Sequence, residues 1–421
     1  MKIALYSLAP FGDACSTLRV LGPAKLCHLE VVNGAEGGVS SQFLQSIDLI
    51  VVQRDFPRKV SDYRAIVDFA RTAAIPLVFE IDDLLTRVPA GYRASEGYYY
   101  ATAMLPMLEA IFEADLVTTS TRLLREYCLQ FNSNVCLLPN YLNDTIWSLH
   151  SQNNTTENRP VIVGYMGGAS HADDLVKLVP VIQRLCCKYG SQIVFRFWGC
   201  KPPNEIRLQK QVEWIPMKLS AYSEFGARFS NARSDIFIAP LLHSENSKCK
   251  SAIKFLEYSS GGKPGVYEQI EPYSSVISHG YNGFMARNEE EWFESIDRLV
   301  ADPEMRRQMG KSAQQSIVQD WLLSSHCDKW KEAYESAIKS STVPAPTRNE
   351  KRNAFYEEAL RIGYQLTACI SSKNRDLIDL EEKYGKLGEL VKATAKFRKH
   401  FGLGRWKSYL MKNYRKLRYN I

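Results

Sequence analysis

Apolar positions in the first third of the chain fall in short runs: Ile3–Leu8, Glu30–Val32, Leu49–Val52, Leu77–Ile81, Leu116–Thr119 and Val135–Leu138. Runs this short and this apolar predict buried strands. Between them the pattern switches to helical spacing. Tyr63 to Ala74 puts Ile66, Phe69 and Ala70 on one face, and Met104 to Ala114 repeats the period. Strands alternating with helices predict a parallel sheet covered on both faces.

Residues 148–160 are polar and show no apolar face, so they read as a linker. The alternation then resumes with strand Val161–Gly164, helix Asp174–Tyr189 and strands Ile193–Trp198 and Val212–Pro216. Helix Ala221–Ala232, strand Ile236–Ala239 and helix Ser251–Ser259 follow. The predicted organisation is α/β: one Rossmann-like domain over 1–147, a second over 161–325, and a crossover helix over 326–339. Residues 340–421 form a linker, a short heptad helix and a tail. Such folds bind ligands beyond the C-terminal ends of their strands.

The tail changes the picture of the charge. The net charge is +7, yet residues 386–421 hold eleven Lys or Arg against the single acid Glu389, a net of +10, so the remaining 385 residues sum to −3. The near-neutral body excludes a nucleic-acid-binding domain. Leu377, Leu380, Tyr384, Leu387 and Val391 keep heptad spacing, which suits coiled-coil self-association or a helix folded back on the body. Leu403, Trp406, Leu410, Tyr414 and Leu417 make an apolar stripe among basic residues. Such a helix suits an anionic membrane surface first, a protein partner second and nucleic acid third.

Composition narrows the classes further. With 45% apolar and 24% charged residues, the 421-residue chain is ordinary globular material and long enough for two domains. No apolar run approaches the ~20 residues of a membrane span. Met1 to Pro10 lacks a small-residue cleavage site, so it reads as a first strand, not a signal peptide. Ten cysteines without any C-x-x-C read as reduced thiols rather than disulfides or a zinc site, and the expected location is cytoplasmic.

Two stretches carry chemistry. In Lys250 to Val266, a helix predicted to open at Ser251 leaves backbone N–H groups outward for phosphate. Lys254 lies one turn in, and Glu257 three residues later on the same face. A cation beside open amides suits a diphosphate, and a carboxylate suits a diol. A plain surface Lys–Glu pair is the competing reading. In Glu80-Ile81-Asp82-Asp83, carboxylates end a strand among apolar neighbours, which is costly unless they are paired or functional. They suit orientation of an acceptor hydroxyl, a Mg²⁺ site, or pairing with an arginine such as Arg54. Arg19 is placed to reach the same cleft.

Arg54, the Phe79 to Leu85 run, Pro139-Asn140, Gly164 to His171, Ile238 to Leu241, Lys250-Ser251 to Glu257-Tyr258, Gly262-Lys263-Pro264 and Asn282-Gly283 occur in that order. Together they resemble the retaining two-domain (GT-B) glycosyltransferases that build bacterial O-antigen and capsular polysaccharide, over about residues 1–338. The resemblance implies two Rossmann-like domains facing across a cleft, with a nucleotide-sugar on the second and a glycan or lipid-linked acceptor on the first. It implies that Glu257 bonds the donor ribose and Lys254 neutralises the diphosphate. Gly167 and Gly168 would let the loop approach the phosphates, helped by Lys250 and Ser251. His171 would donate to the leaving group or donor sugar, or else simply cap a helix. Arg19, Arg54, Asp82 and Asp83 fall on the acceptor side. No metal or other cofactor is expected, and no nucleic acid; the tail would hold the protein at the inner face of a membrane.

The resemblance is incomplete at two points. Cys249 stands eight residues before Glu257, where the family usually carries an acid, and Gly168 to Asp174 offers only His171 in place of an Arg and a Lys. A catalytically silent GT-B scaffold subunit is therefore the alternative. No G-x-G-x-x-G follows the first strand, which argues against a dinucleotide oxidoreductase.

Overall fold

The structure is a computed structural model, and it describes residues 1–87, 100–149, 159–168, 171–217, 221–230, 234–340 and 351–371. Its frame is two six-stranded sheets, parallel throughout. The first contains β1 (Lys2–Tyr6), β2 (Glu30–Asn33), β3 (Leu49–Gln53), β4 (Leu77–Ile81), β5 (Leu116–Thr119) and β6 (Val135–Leu137), in the order β2-β1-β3-β4-β5-β6. Every residue of β3 and β4 is buried, because each strand has neighbours on both sides and helices on both faces. Strand β2 was read as buried, but at the sheet edge it is exposed to half-buried.

The second sheet contains β7 (Val161–Gly167), β8 (Ile193–Gly199), β9 (Val212–Ile215), β10 (Ile236–Ala239), β11 (Gly265–Glu268) and β12 (Phe284–Ala286), in the order β12-β11-β10-β7-β8-β9. Three expectations change here. Strand β7 runs past Gly164, pairing Tyr165 with Phe197 and Gly167 with Gly199. The helix expected over Asp174–Tyr189 is two, Ala172–Val176 and Val179–Tyr189, with Pro180 in the first turn of the second, where its missing N–H is harmless. The helix expected from Ser251 starts at Ile253, with Ala252 at its N-cap and no side-chain cap.

The connection between domains is double. Leu142 N donates to Trp321 O at 2.8 Å, and Leu323 N donates to Leu142 O at 2.8 Å, so the outgoing and returning chains run side by side. Trp147 already packs in the second domain, among Tyr222, Phe225 and Phe229.

The helix Pro303–Asp320 closes the second domain, and Asp328–Ser340 returns to the first. There Trp330 and Tyr334 are fully buried against Ile3, Leu5 and Val51, and Trp330 Nε1 donates to Arg19 O at 2.6 Å. A further helix, Arg352–Ser371, was not foreseen. Tyr356, Ala359 and Ile362 join the first domain's core, and the Phe355 ring lies 4.9 Å from that of Phe112. Its Glu358 accepts from Arg87 Nε and Nη2, both at 2.9 Å, and from Tyr127 Oη at 2.9 Å. The heptad seam of 377–391 and the basic stripe of 403–417 lie outside the described residues. Among the described residues, no helix is long and apolar enough to cross a membrane.

Candidate active site

In the second sheet β7 has β8 on one side and β10 on the other, so the strand order reverses between β7 and β10. A crevice opens at the C-terminal ends of strands at such a point. Asp174, in the helix after β7, bridges the reversal: its Oδ1 accepts from Leu242 N, just after β10, at 2.9 Å. Its Oδ2 lies 2.8 Å from His171 Nδ1, and His171 Nε2 lies 3.3 Å from Lys254 Nζ.

The electrostatics fix who carries the proton. Burial, then the positive charges of Lys254 and Lys250, push His171 down to about 3, so the imidazole is neutral. Its single proton sits on Nδ1 toward Asp174, and Nε2 accepts from the Lys254 ammonium. Burial acts to raise Asp174, but the hydrogen bond from His171, the charge of Lys250 and the hydrogen bond from Leu242 N outweigh it and hold the carboxyl below its usual range. In this arrangement Nδ1 of His171 faces Asp174 and Nε2 faces Lys254. His171 thus holds Lys254, and its side chain does not cap the helix.

Burial, then the charge of Lys250, lowers Lys254 to about 8. Glu257, one turn on, is raised by burial to about 7, against the opposing hydrogen bond from Tyr222 and the charge of Lys254. Glu257 is 5% exposed and Tyr222 3%, and Tyr222 Oη donates to Glu257 Oε1 at 2.6 Å. This is not a surface Lys–Glu pair: Lys254 is half-buried and Glu257 is buried, where an ionised side chain needs a partner.

The remaining donor-side residues divide. Lys250 adds to the positive potential felt by His171 and Asp174. Ser251 does not cap the helix; its Oγ accepts from Asn140 Nδ2 of the first domain at 2.8 Å. Gly167 ends a paired strand, and its lack of a side chain is needed because a Cβ would fall 2.7 Å from Tyr165 Oη. Gly168 is exposed at the loop that follows. Cys249 faces away, buried among first-domain residues, while its carbonyl accepts from Thr121 Oγ1 at 2.9 Å.

On the first domain, Arg19 requires a correction. It does not reach the cleft. Its side chain is fully buried, with Nε 2.6 Å from Glu80 Oε1 and Nη1 2.8 Å from Asn140 Oδ1, so it neutralises Glu80 within the fold. Arg54 stands at the end of β3 with a positive φ of 52°, unusual for a side chain of this size. That conformation brings its guanidinium onto Asp82, with Asp83 at 3.7 Å and Tyr100 Oη at 3.2 Å. Arginine pairing therefore accounts for Asp82. Asp83 is raised by burial and by the Asp82 charge, while Lys250 and Lys254 pull it down from the second domain. Asp83 thus feels the charges of Lys250 and Lys254 as well as that of Arg54.

Asp174, Tyr222 and Trp147 were missed. Asp174 was legible as the third residue after His171, a spacing that shares a helix face. Tyr222, far from Glu257 in sequence, gave no signal. Glu268 at the end of β11 was also missed: it is fully buried, 2.6 Å from Lys177 Nζ and 3.0 Å from His243 Nε2.

Residues 147–316 match the family described as glycosyl transferases group 1. No curated protein sequence matches the chain at a significant level. Among solved structures, HepE of Anabaena in complex with UDP-glucose superposes with a TM-score of 0.58 at 14% identity, covering 80% of this chain and 100% of that one. Sucrose-phosphate synthase of Thermosynechococcus elongatus gives 0.56 at 13% identity, covering 81% and 100%. A glycosyltransferase of Rickettsia africae gives 0.54 at 12% identity, covering 80% and 98%. These likenesses establish the fold, and the family match establishes the chemistry class of the second domain. Residues 147–316 thus match group 1 glycosyl transferases, within a chain that has the two-sheet GT-B fold.

Proposed function

We propose that the protein transfers a sugar, with retention, from a nucleotide-sugar to a glycan or lipid-linked acceptor in cell-surface polysaccharide assembly. One observation supports this above the others: Lys254, held by the Asp174–His171 pair, and Glu257, held by Tyr222, lie a turn apart at the strand-order reversal of a glycosyltransferase domain. In this reading Glu257 accepts from the ribose hydroxyls and Lys254 neutralises the diphosphate. The departing negative charge meets a pre-set cation in a dry site, where such an interaction is strongest. Asp83 and Arg54 stand opposite and orient the acceptor hydroxyl for attack on the face the diphosphate leaves. The UDP-glucose bound by HepE makes a UDP-sugar the first donor to try. The basic tail would hold the protein at the inner face of a membrane, near a lipid-linked acceptor.

The test is calorimetry with UDP, GDP, dTDP and CDP, with and without EDTA, on the wild type and Glu257→Ala. Selective binding that vanishes in the variant and ignores EDTA supports a metal-independent transferase. Binding that needs a divalent ion would bring the Asp82–Asp83 carboxylates into the donor site. Folded protein that binds no nucleotide would favour the silent scaffold.

A further inference from the structure

Trp147, Tyr222 and Glu257 form a hydrogen-bond chain that runs in one direction. Trp147 Nε1 lies 3.0 Å from Tyr222 Oη, which lies 2.6 Å from Glu257 Oε1. An indole N–H can only donate. The tyrosine oxygen therefore accepts from Trp147, and its one proton has only the carboxylate to go to. The three side chains are 2%, 3% and 5% exposed, so water does not compete for these positions. Trp147 is itself clamped by Phe225 and Phe229 at ring distances of 5.7 and 5.9 Å.

We infer that Tyr222 is a positioning residue for the donor site, fixing one oxygen of Glu257 so that the other is presented to a vicinal diol. The inference rests on the reading of Glu257 as the ribose ligand. Among the described residues none hydrogen-bonds Oε2 of Glu257, which is the oxygen left for the ligand. The same residue touches the first domain, since Tyr222 N donates to Gly12 O at 3.2 Å. The side chain that aligns the donor carboxylate is thus tied to a loop on the opposite side of the cleft. Trp147, at the head of the chain, packs in the second domain.

The titratable groups facing Glu257 are Tyr222, then Lys254 and Tyr258 on its own helix, and Tyr273 from the segment after β11. Burial pushes the Glu257 carboxyl up, and the Tyr222 proton is the first force opposing that rise. Without the phenol, the carboxylate forms only at higher pH. A packing role would lower affinity equally at every pH; a role through the carboxylate would not.

The experiment is UDP affinity by calorimetry across the Glu257 titration, for the wild type, Tyr222→Phe, Trp147→Phe and Glu257→Gln, each checked by thermal melting. Tyr222→Phe should bind about tenfold more weakly on the acid side and converge on the wild type toward alkaline pH. Trp147→Phe should shift the same limb by less, and it carries the test if Tyr222→Phe does not fold. Glu257→Gln should have no acid limb. A Tyr222→Phe profile parallel to the wild type, or identical to it, would overturn the inference while leaving the ribose reading intact. A wild type that binds no nucleotide would overturn both.

Discussion

The Lys254 ammonium donates to Nε2 of His171 at 3.3 Å. Because His171 spends its proton on Asp174, it is an acceptor at this pH range, and the lysine is aimed without being neutralised. This makes Lys254 the electrostatic centre of the site. Lys254→Ala should retain its melting temperature and lose about 10²–10³-fold in kcat, the range seen when one stabilising group is removed from a developing charge. His171→Phe should lose less, since the cation remains but is no longer held. Turnover near wild type in Lys254→Ala would remove this residue from the mechanism.

The same pair of side chains sets a pH window. Glu257 is raised to about 7 and Lys254 lowered to about 8. In the proposed roles, nucleotide affinity needs the first deprotonated and the second protonated. Affinity should therefore rise as pH passes about 7 and fall as it passes about 8, a narrow bell measured by titration at fixed ionic strength. Stability of the free protein runs the other way for Glu257. Its folded value lies above its ordinary 4.5, so its contribution is fully present below that value and is lost as pH rises through about 7. Melting temperature without ligand and affinity with it should thus move in opposite directions on the acid side.

Arg19 is expected to behave as a folding residue. Removing one partner of a buried pair strands the other charge, at a cost of about 3–5 kcal/mol. Arg19→Met should destabilise by that order in denaturant titration, because Glu80 is left fully buried without its cation. A melt unchanged from wild type, with activity lost, would return Arg19 to the acceptor site.

Glu358 pins the helix Arg352–Ser371. The arginines beside it outweigh the effect of burial and lower its carboxyl to about 2. This contribution is present above its ordinary 4.5 and is lost as pH falls through about 2. Glu358→Gln should raise amide exchange in residues 352–363 at neutral pH while leaving the second domain's exchange unchanged.

That docked helix also dictates where to cut for a membrane test. Truncation after Ser371 keeps the packed face of Tyr356, Ala359 and Ile362 and removes only the residues that follow. Loss of binding to anionic vesicles in that variant, with nucleotide affinity intact, is the expected result. Unchanged binding would end the membrane reading.

Much of the fold was legible because buried parallel strands leave dense apolar runs, as β3 and β4 do. Strands β11 and β12 were not, since Gly265–Glu268 and Phe284–Ala286 are too short and too mixed to rise above a loop. Lys254 and Glu257 were legible because helical spacing places them together. What holds them was not: Tyr222 arrives from another helix, and only tertiary packing brings it to Glu257. Arg19 was misjudged because its partner Glu80 is distant in sequence, and sequence alone offers no sign of which carboxylate an arginine meets.

Both the crossover helix Asp328–Ser340 and the helix Arg352–Ser371 belong to the first domain's core. The residues after 371 therefore set out from the first domain. If that stretch is moored, the first domain is moored with it, and the second domain is held to it by the chain crossing at Leu142 and Leu322 and by contacts such as Asn140 with Ser251. On the proposed function, loading a new donor would then move the second domain while the first keeps its station.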